Sequence, residues 1–251
     1  MTHSVISKSY LQKVKQSLDK FLVSATLIFI SGFAIAQDNF TIKMSVKAEG
    51  LPPEYAAYAE QDVIIYIKGD KIKSEKNGMM GSSVTLYDGK KMTSLMENMG
   101  TKFGYTATKE ELETTGKSDK SEKPKIEYTT EKKMIAGYEC AKVVVTSIGK
   151  DKKESTTILW VTDKIRYNHA EYFKAAARGM SDLSELKGYA LGMEMQQNAQ
   201  GGMEIKIIMN STEITTTALN DSVFNVSSDG YTMMTYKEML DKQKTMMGGG
   251  K

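Results

Sequence analysis

The sequence predicts a mainly antiparallel β protein of the α+β class: one curled sheet of about ten strands around an apolar interior, with few helices. Three observations predict it. Apolar and polar residues alternate with a period of two along most of the chain. Gly-Asp, Asp-Gly and Gly-rich turns punctuate the alternating runs closely, which joins neighbouring strands as hairpins and makes the sheet antiparallel. Helical periodicity is confined to a few short segments, too few for an α/β fold.

Ahead of the first strand lies a segment of different character. Lys8, Lys13, Lys15 and Lys20 precede an apolar run over residues 21–36 that ends in Ala34-Ile35-Ala36. Positive charge, apolar run and small-residue exit together read as a secretory signal peptide over residues 1–36, cleaved before Gln37. A membrane-spanning helix needs about 20 apolar residues, and this run is shorter and diluted by Ser24, Thr26, Ser31 and Gly32. No stable transmembrane segment is therefore expected after cleavage. Gln37 stands where a lipid-anchored protein would carry a cysteine. The expected destination is outside the cytoplasm: the bacterial periplasm or cell envelope, with secretion from the cell as the alternative. The leader holds four lysines and one aspartate of the 34 basic and 31 acidic residues, so residues 37–251 carry no net charge. A neutral chain has no general attraction for nucleic acid, and no nucleic-acid partner is expected.

The elements of residues 37–251 read as a single domain. Phe40, Ile42, Met44 and Val46 share one face of the first strand, and Thr41, Lys43, Ser45 and Lys47 the other. Residues 53–60 suit a short helix with proline in its first turn. Residues 63–68 turn at Gly69-Asp70 into residues 71–75, and residues 84–87 turn at Asp88-Gly89 into residues 91–96. Residues 106–125 are dense in Lys, Glu, Ser and Thr with Leu112 alone as a large aliphatic, so a solvated, mobile loop is expected there. A third hairpin pairs residues 138–148 with 155–162, and a fourth pairs 188–196 with 203–215. Residues 169–180 have the composition of a helix, and residues 221–226 that of a short strand. Thr235 and Glu238 form a capping box, which opens a last helix with Tyr236, Met239 and Leu240 at helical spacing.

The chain displays no reactive constellation. It has no nucleophile elbow, no phosphate-cradling loop and no dinucleotide fingerprint. His169 is the one histidine outside the leader, and on a helix start it reads as a surface or capping residue. Cys140 is the single cysteine, so no internal disulfide forms. Its neighbours Ala141, Val143, Val144 and Val145 mark core strand, which makes it a buried thiol rather than a nucleophile. The anomaly is methionine, at 18 residues, of which only Met1 lies in the leader. Many fall at inward strand positions: Met44, Met92, Met96, Met193, Met195, Met203 and Met209. Three uses compete. Methionine fills irregular cores; it gives a deformable lining for an apolar ligand; and its thioether binds Cu(I). The candidate lining is Met44, Ile65, Leu86, Met92, Met96, Val143, Val145, Leu159, Met193, Met195, Ile205 and Ile207.

Several stretches together carry a family resemblance: Tyr66-Ile-Lys-Gly-Asp-Lys71; Thr85-Leu-Tyr-Asp-Gly-Lys90 followed by Met92 to Met99; Ile135-Ala-Gly-Tyr-Glu-Cys140; and the ending from Tyr236-Lys-Glu-Met to Met246-Met-Gly-Gly-Gly-Lys251. The chain resembles the DUF4412 family of exported bacterial proteins, which is similar in strand order to lipoprotein carriers of the LolA and LolB type. The resemblance implies a strongly curved half-barrel whose concave, apolar face is covered by helices. It supplies no catalytic residue and no cofactor. Related sequences tend to have Gly-x-Pro-Leu where this chain has Gly188-Tyr-Ala190-Leu191, so a less rigid start to that strand is expected. The expected function is that of a non-enzymatic envelope protein holding a lipid or acyl chain in the half-barrel. The alternatives are a structural or interaction module with a filled core, and a Cu(I)-handling protein.

The leader reading is checked by sequencing the N-terminus of the exported protein. Gln37 is the expected first residue; retention of residues 21–36 would overturn it.

Overall fold

The computed structural model describes residues 39–116, 123–148, 152, 154–165, 183, 185–198 and 204–248. The cleavage-site residues Ala34, Ala36 and Gln37, the expected helix over 169–180 and Met203 lie outside them.

β1 (Asn39–Glu49) has the clean alternation the sequence shows: Phe40, Ile42, Met44 and Val46 are each no more than 2% exposed. It runs through the middle of one twelve-stranded sheet. On one side follow β2 (Gln61–Lys68), β3 (Lys71–Gly78), β4 (Gly81–Tyr87), β5 (Lys91–Asn98) and β6 (Thr101–Thr108), each antiparallel to the one before. On the other side lies β11 (Glu204–Thr215), then β10 (Tyr189–Asn198), β9 (Glu154–Thr162), β8 (Tyr138–Ile148) and β7 (Lys125–Ile135). Two five-stranded meanders are thus joined through β1. The short β12 (Thr232–Thr235) adds to the β6 edge in parallel, the one departure from the expected antiparallel pairing among the described residues. The expected architecture is the one observed, an open, curved sheet with few short helices. The curl is strong enough that β7 touches β11, although three strands separate them in the sheet order.

Nine of the ten expected strands are present. The tenth, over residues 221–226, is instead a 3₁₀ helix at Asp221–Phe224, because Asn220 accepts a hydrogen bond from the Ser222 backbone N–H at 2.9 Å and caps it. Three strands were not expected. β6 is one of them, and it takes the first residues of the predicted loop. The next residues, Lys109–Gly116, are a helix, α2, following α1 (Pro53–Ala59). Its start is a capping box: the Thr108 N–H donates to Glu111 at 2.8 Å, and the Glu111 N–H donates to the Thr108 hydroxyl at 3.2 Å. Leu112 is 1% exposed and fastens the helix to the core. A polar composition had masked a helix that needs one apolar anchor. β7 escaped notice because it is an edge strand with a register shift between Tyr128 and Lys132, so its alternation breaks.

The C-terminal helix, α3 (Tyr236–Gly248), begins at the capping box the sequence shows, with Glu238 accepting from the Thr235 N–H at 2.7 Å. Tyr236 and Met239 are buried in the main core cluster, and the Tyr236 ring stacks on Tyr105 of β6 at 5.9 Å. Ile165 and Leu186, from the connection between β9 and β10, join the same cluster.

The outer face of the β7–β10 half has its own fastening. Lys133 lies over the Trp160 ring at 4.1 Å, Trp160 donates to Glu194 at 2.9 Å, and Glu194 also pairs with Lys206 at 2.8 Å. Partial burial alone would raise the Glu194 carboxyl. The hydrogen bonds from Lys206 and Trp160, with the charges of Lys206 and Lys133, outweigh it and hold the group below its ordinary range. The β7 end fits here because residue 192 is glycine: a side-chain carbon on it would meet Ile135 at 2.9 Å and Asn210 at 2.8 Å.

Two outcomes follow from this region. Gly192→Ala should destabilise the fold by about 1–3 kcal/mol in urea unfolding, as overpacking does; unchanged stability would show that the β7 end yields freely. Glu194 has a depressed folded-state value, so its contribution is present above the ordinary glutamate range, about 4.3, and lost as pH falls through the lower folded value. Urea midpoints measured between pH 7 and pH 3 should therefore fall less steeply in Glu194→Gln than in the parent.

Candidate functional site

Because side chains alternate, register decides which residues can share a site. Residues paired across β1, β2 and β11 show the rule: Ile42 faces Ile65, Met44 faces Val63 and Ser211, and Val46 faces Met209. Met209 in turn faces Met193, which faces Leu159, which faces Val143. Ile207 faces Met195. These residues form the inner face of the curl.

Eleven of the twelve candidate lining residues lie on this face. Met44, Ile65, Val143, Leu159, Met193 and Ile207 are at its centre, each at most 2% exposed. Val145, Ile205 and Met92 are also buried there, and Met195 packs against the same cluster. Met96 faces Ser83 and is partly exposed near the β5–β6 side. Leu86 is the exception. It pairs with Lys73 and Thr93 on the outer face, while its neighbour Tyr87 points inward, 5% exposed. The signal was in the register of the hairpin: with Ile72 inward, its partner Tyr87 must be inward too. Leu86 instead borders an open outer depression of about 550 Å³ with Phe224 and Val226.

The central inner-face residues Ile42, Val63 and Met209 were not among the candidates, though Met209 is a direct neighbour of Met193 and wholly buried. Ser211, 4% exposed, was also missed, since serine gives no hydrophobic signal. The inner face is covered. Leu112 of α2, Ile165 and Leu186 of the β9–β10 connection, and Tyr236 and Met239 of α3 all belong to the one core cluster.

Cys140 is fully buried, and its thiol donates to the Tyr138 carbonyl at 3.6 Å. Burial pushes the thiol up to about 11, so at neutral pH it is the unreactive protonated form. Among the described residues no three His, Cys, Asp or Glu side chains are placed to hold a metal ion, and no helix is long and apolar enough to cross a membrane.

The sequence matches the family model "Domain of unknown function (DUF4412)" over residues 54–230. No curated protein matches it. Among solved structures it is similar to PNGF-II, with 16% identity and a TM-score of 0.42, covering 82% of this chain and 34% of that one. The chain thus spans about a third of that protein's length. It is similar to the lipoprotein LppX of Mycobacterium tuberculosis, with 11% identity, a TM-score of 0.36, and coverage of 85% of this chain and 99% of that one. It is also similar to a LolA superfamily protein from Nitrosomonas europaea, with 10% identity, a TM-score of 0.31, and coverage of 84% and 97%. At these scores the likeness carries neither ligand nor activity across. The family match is of another kind: it runs from α1 to the turn before β12, and the chain belongs to the DUF4412 family.

Proposed function

We propose that this is a non-enzymatic cell-envelope protein that holds an apolar ligand, a lipid or an acyl chain, against the inner face of its half-barrel. The observation that supports this reading is the composition of that face. Met44, Met193 and Met209 sit among Ile42, Ile65, Ile207 and Leu159 in a continuous apolar surface. Flexible thioether side chains re-pack at little cost around chains of different shape. The surface is closed as it stands, so a ligand enters only when part of the cover lifts. Among the described residues that cover is fastened by Leu112, Ile165, Leu186, Tyr236 and Met239, with Leu183 and Leu240 packed against the same cluster. Segments held by few buried contacts open at less cost than the sheet itself.

One observation favours a second reading, a filled core with an interaction or structural role: the central residues are already 0–2% exposed.

Native mass spectrometry and solvent extraction of protein purified from its own envelope decide between them. A reproducible bound lipid is the expected result. Protein that is always empty and ignores fluorescent fatty-acid probes would overturn the ligand reading and leave the filled core.

A further inference from the structure

The hairpins of β2–β6 turn differently at the two ends of the sheet. At one end the turns carry Gly69-Asp70 and Asp88-Gly89, residues that tight turns favour. There the Asp88 carboxylate accepts from the Lys90 and Lys91 N–H groups at 3.0 and 2.9 Å. At the other end the turns are Met79-Met80, closed by the pair Gly78 and Gly81, and Met99-Gly100, closed by Asn98 and Thr101. Neither turn chemistry nor burial accounts for methionine at these tips. Met99 has a φ of 48°, in the left-handed region that favours Asn or Gly. It is 79% exposed, and Met79 is 65% exposed. Filling a core and lining an apolar ligand both need an inward side chain, so neither use explains them.

The register sets the two tips side by side. β4 and β5 are neighbours, and Gly81 faces Asn98 as their outermost pair. Met80 and Met99 are the next residues outward on these two strands, about one strand spacing, ~4.8 Å, apart, with Met79 one spacing further on. Gly81 draws the hairpins together. A side-chain carbon on it would lie 2.1 Å from the Glu97 carbonyl oxygen and 3.1 Å from the Asn98 Cα. Gly100 leaves room, because a side-chain carbon there would have nothing within 4 Å. Unbranched methionine stems can swing toward one another in that space.

We propose that Met79, Met80 and Met99 are the thioether ligands of a Cu(I) site at this rim of the sheet. Thioether sulfur is soft and uncharged, which suits Cu(I). It offers little to Zn(II), which takes thiolate and imidazole, or to Ca(II) and Mg(II), which take oxygen. The site lies outside the apolar inner face and is independent of the ligand reading: a lipid can be present or absent without bearing on it.

Methyl NMR of the methionine-labelled full chain, titrated with Ag(I) as the redox-inert stand-in for Cu(I), tests this. The signals of Met79, Met80 and Met99 should shift together within the first equivalent. Met134 is the internal control, since it is 66% exposed but lies on β7 at the opposite end of the sheet. Its signal should move only with excess metal, and those of the buried Met44 and Met193 not at all. The triple variant Met79→Leu, Met80→Leu, Met99→Leu keeps the apolar bulk and removes the sulfur. It should hold Cu(I) at least about tenfold more weakly than the parent in competition with bicinchoninate under ascorbate, with unmoved Met44 and Met193 signals showing that it is folded. A Met134 signal that shifts in step with the tips, a triple variant that competes as well as the parent, or no shift at the tips would each overturn the site.

Discussion

The structure depends on β1. The meanders β2–β6 and β7–β11 are each built from short-range hairpins, but nothing in either one requires the other. β1 hydrogen-bonds to both, through β2 on one edge and β11 on the other, and its inner residues Phe40, Ile42, Met44 and Val46 pack into the core from both sides. Burying each such side chain stabilises the fold by about 1.5–3 kcal/mol. Without that strand two edges would stand open, each a row of unpaired backbone groups. Joining the two meanders into one sheet makes their inner faces continuous, and any site that spans them depends on that join.

Most of this was legible in the sequence where alternation was clean. The faces of β1, β2 and β11 could be read residue by residue, because each strand buries one side and exposes the other. The signal failed where a strand departs from that condition. β7 is an edge with a register shift, and β12 is four residues long. α2 has the composition of a solvated loop because Leu112 is its one large aliphatic residue, although the spacing of Thr108 and Glu111 marks its start. The hydrophobicity of Leu86 points it inward, whereas the pairing of Tyr87 with Ile72 fixes it outward. Hydrophobicity describes a residue; register describes a neighbour, and the site is made of neighbours.

The same distinction governs the chemistry of the inner face. A list of its apolar residues describes a greasy surface. The rows across the strands show that it also carries Ser74, Lys76, Thr85 and Ser94, set among Ile72, Tyr87, Met92 and Met96. Thr85 and Ser94 satisfy each other at 3.1 Å, while Gln61 and Ser211 keep an unmet polar atom. Methionine accounts for adaptability of the apolar residues but says nothing of the polar ones among them. Serine and glutamine leave no trace in a hydrophobic pattern, which is why that part of the face emerged only from three dimensions.

The place of β1 also sets the order in which the protein can be made. Lys43 and its ion-pair partner Glu213 lie 170 residues apart in sequence. During synthesis β1 emerges first and can join β2 at once, yet its other edge has no partner until β11 follows, almost at the end. Pairings so distant carry a large loop-closure cost and slow the final step. The nascent chain therefore passes through an interval as half a sheet whose one strand edge is a row of unpaired backbone groups.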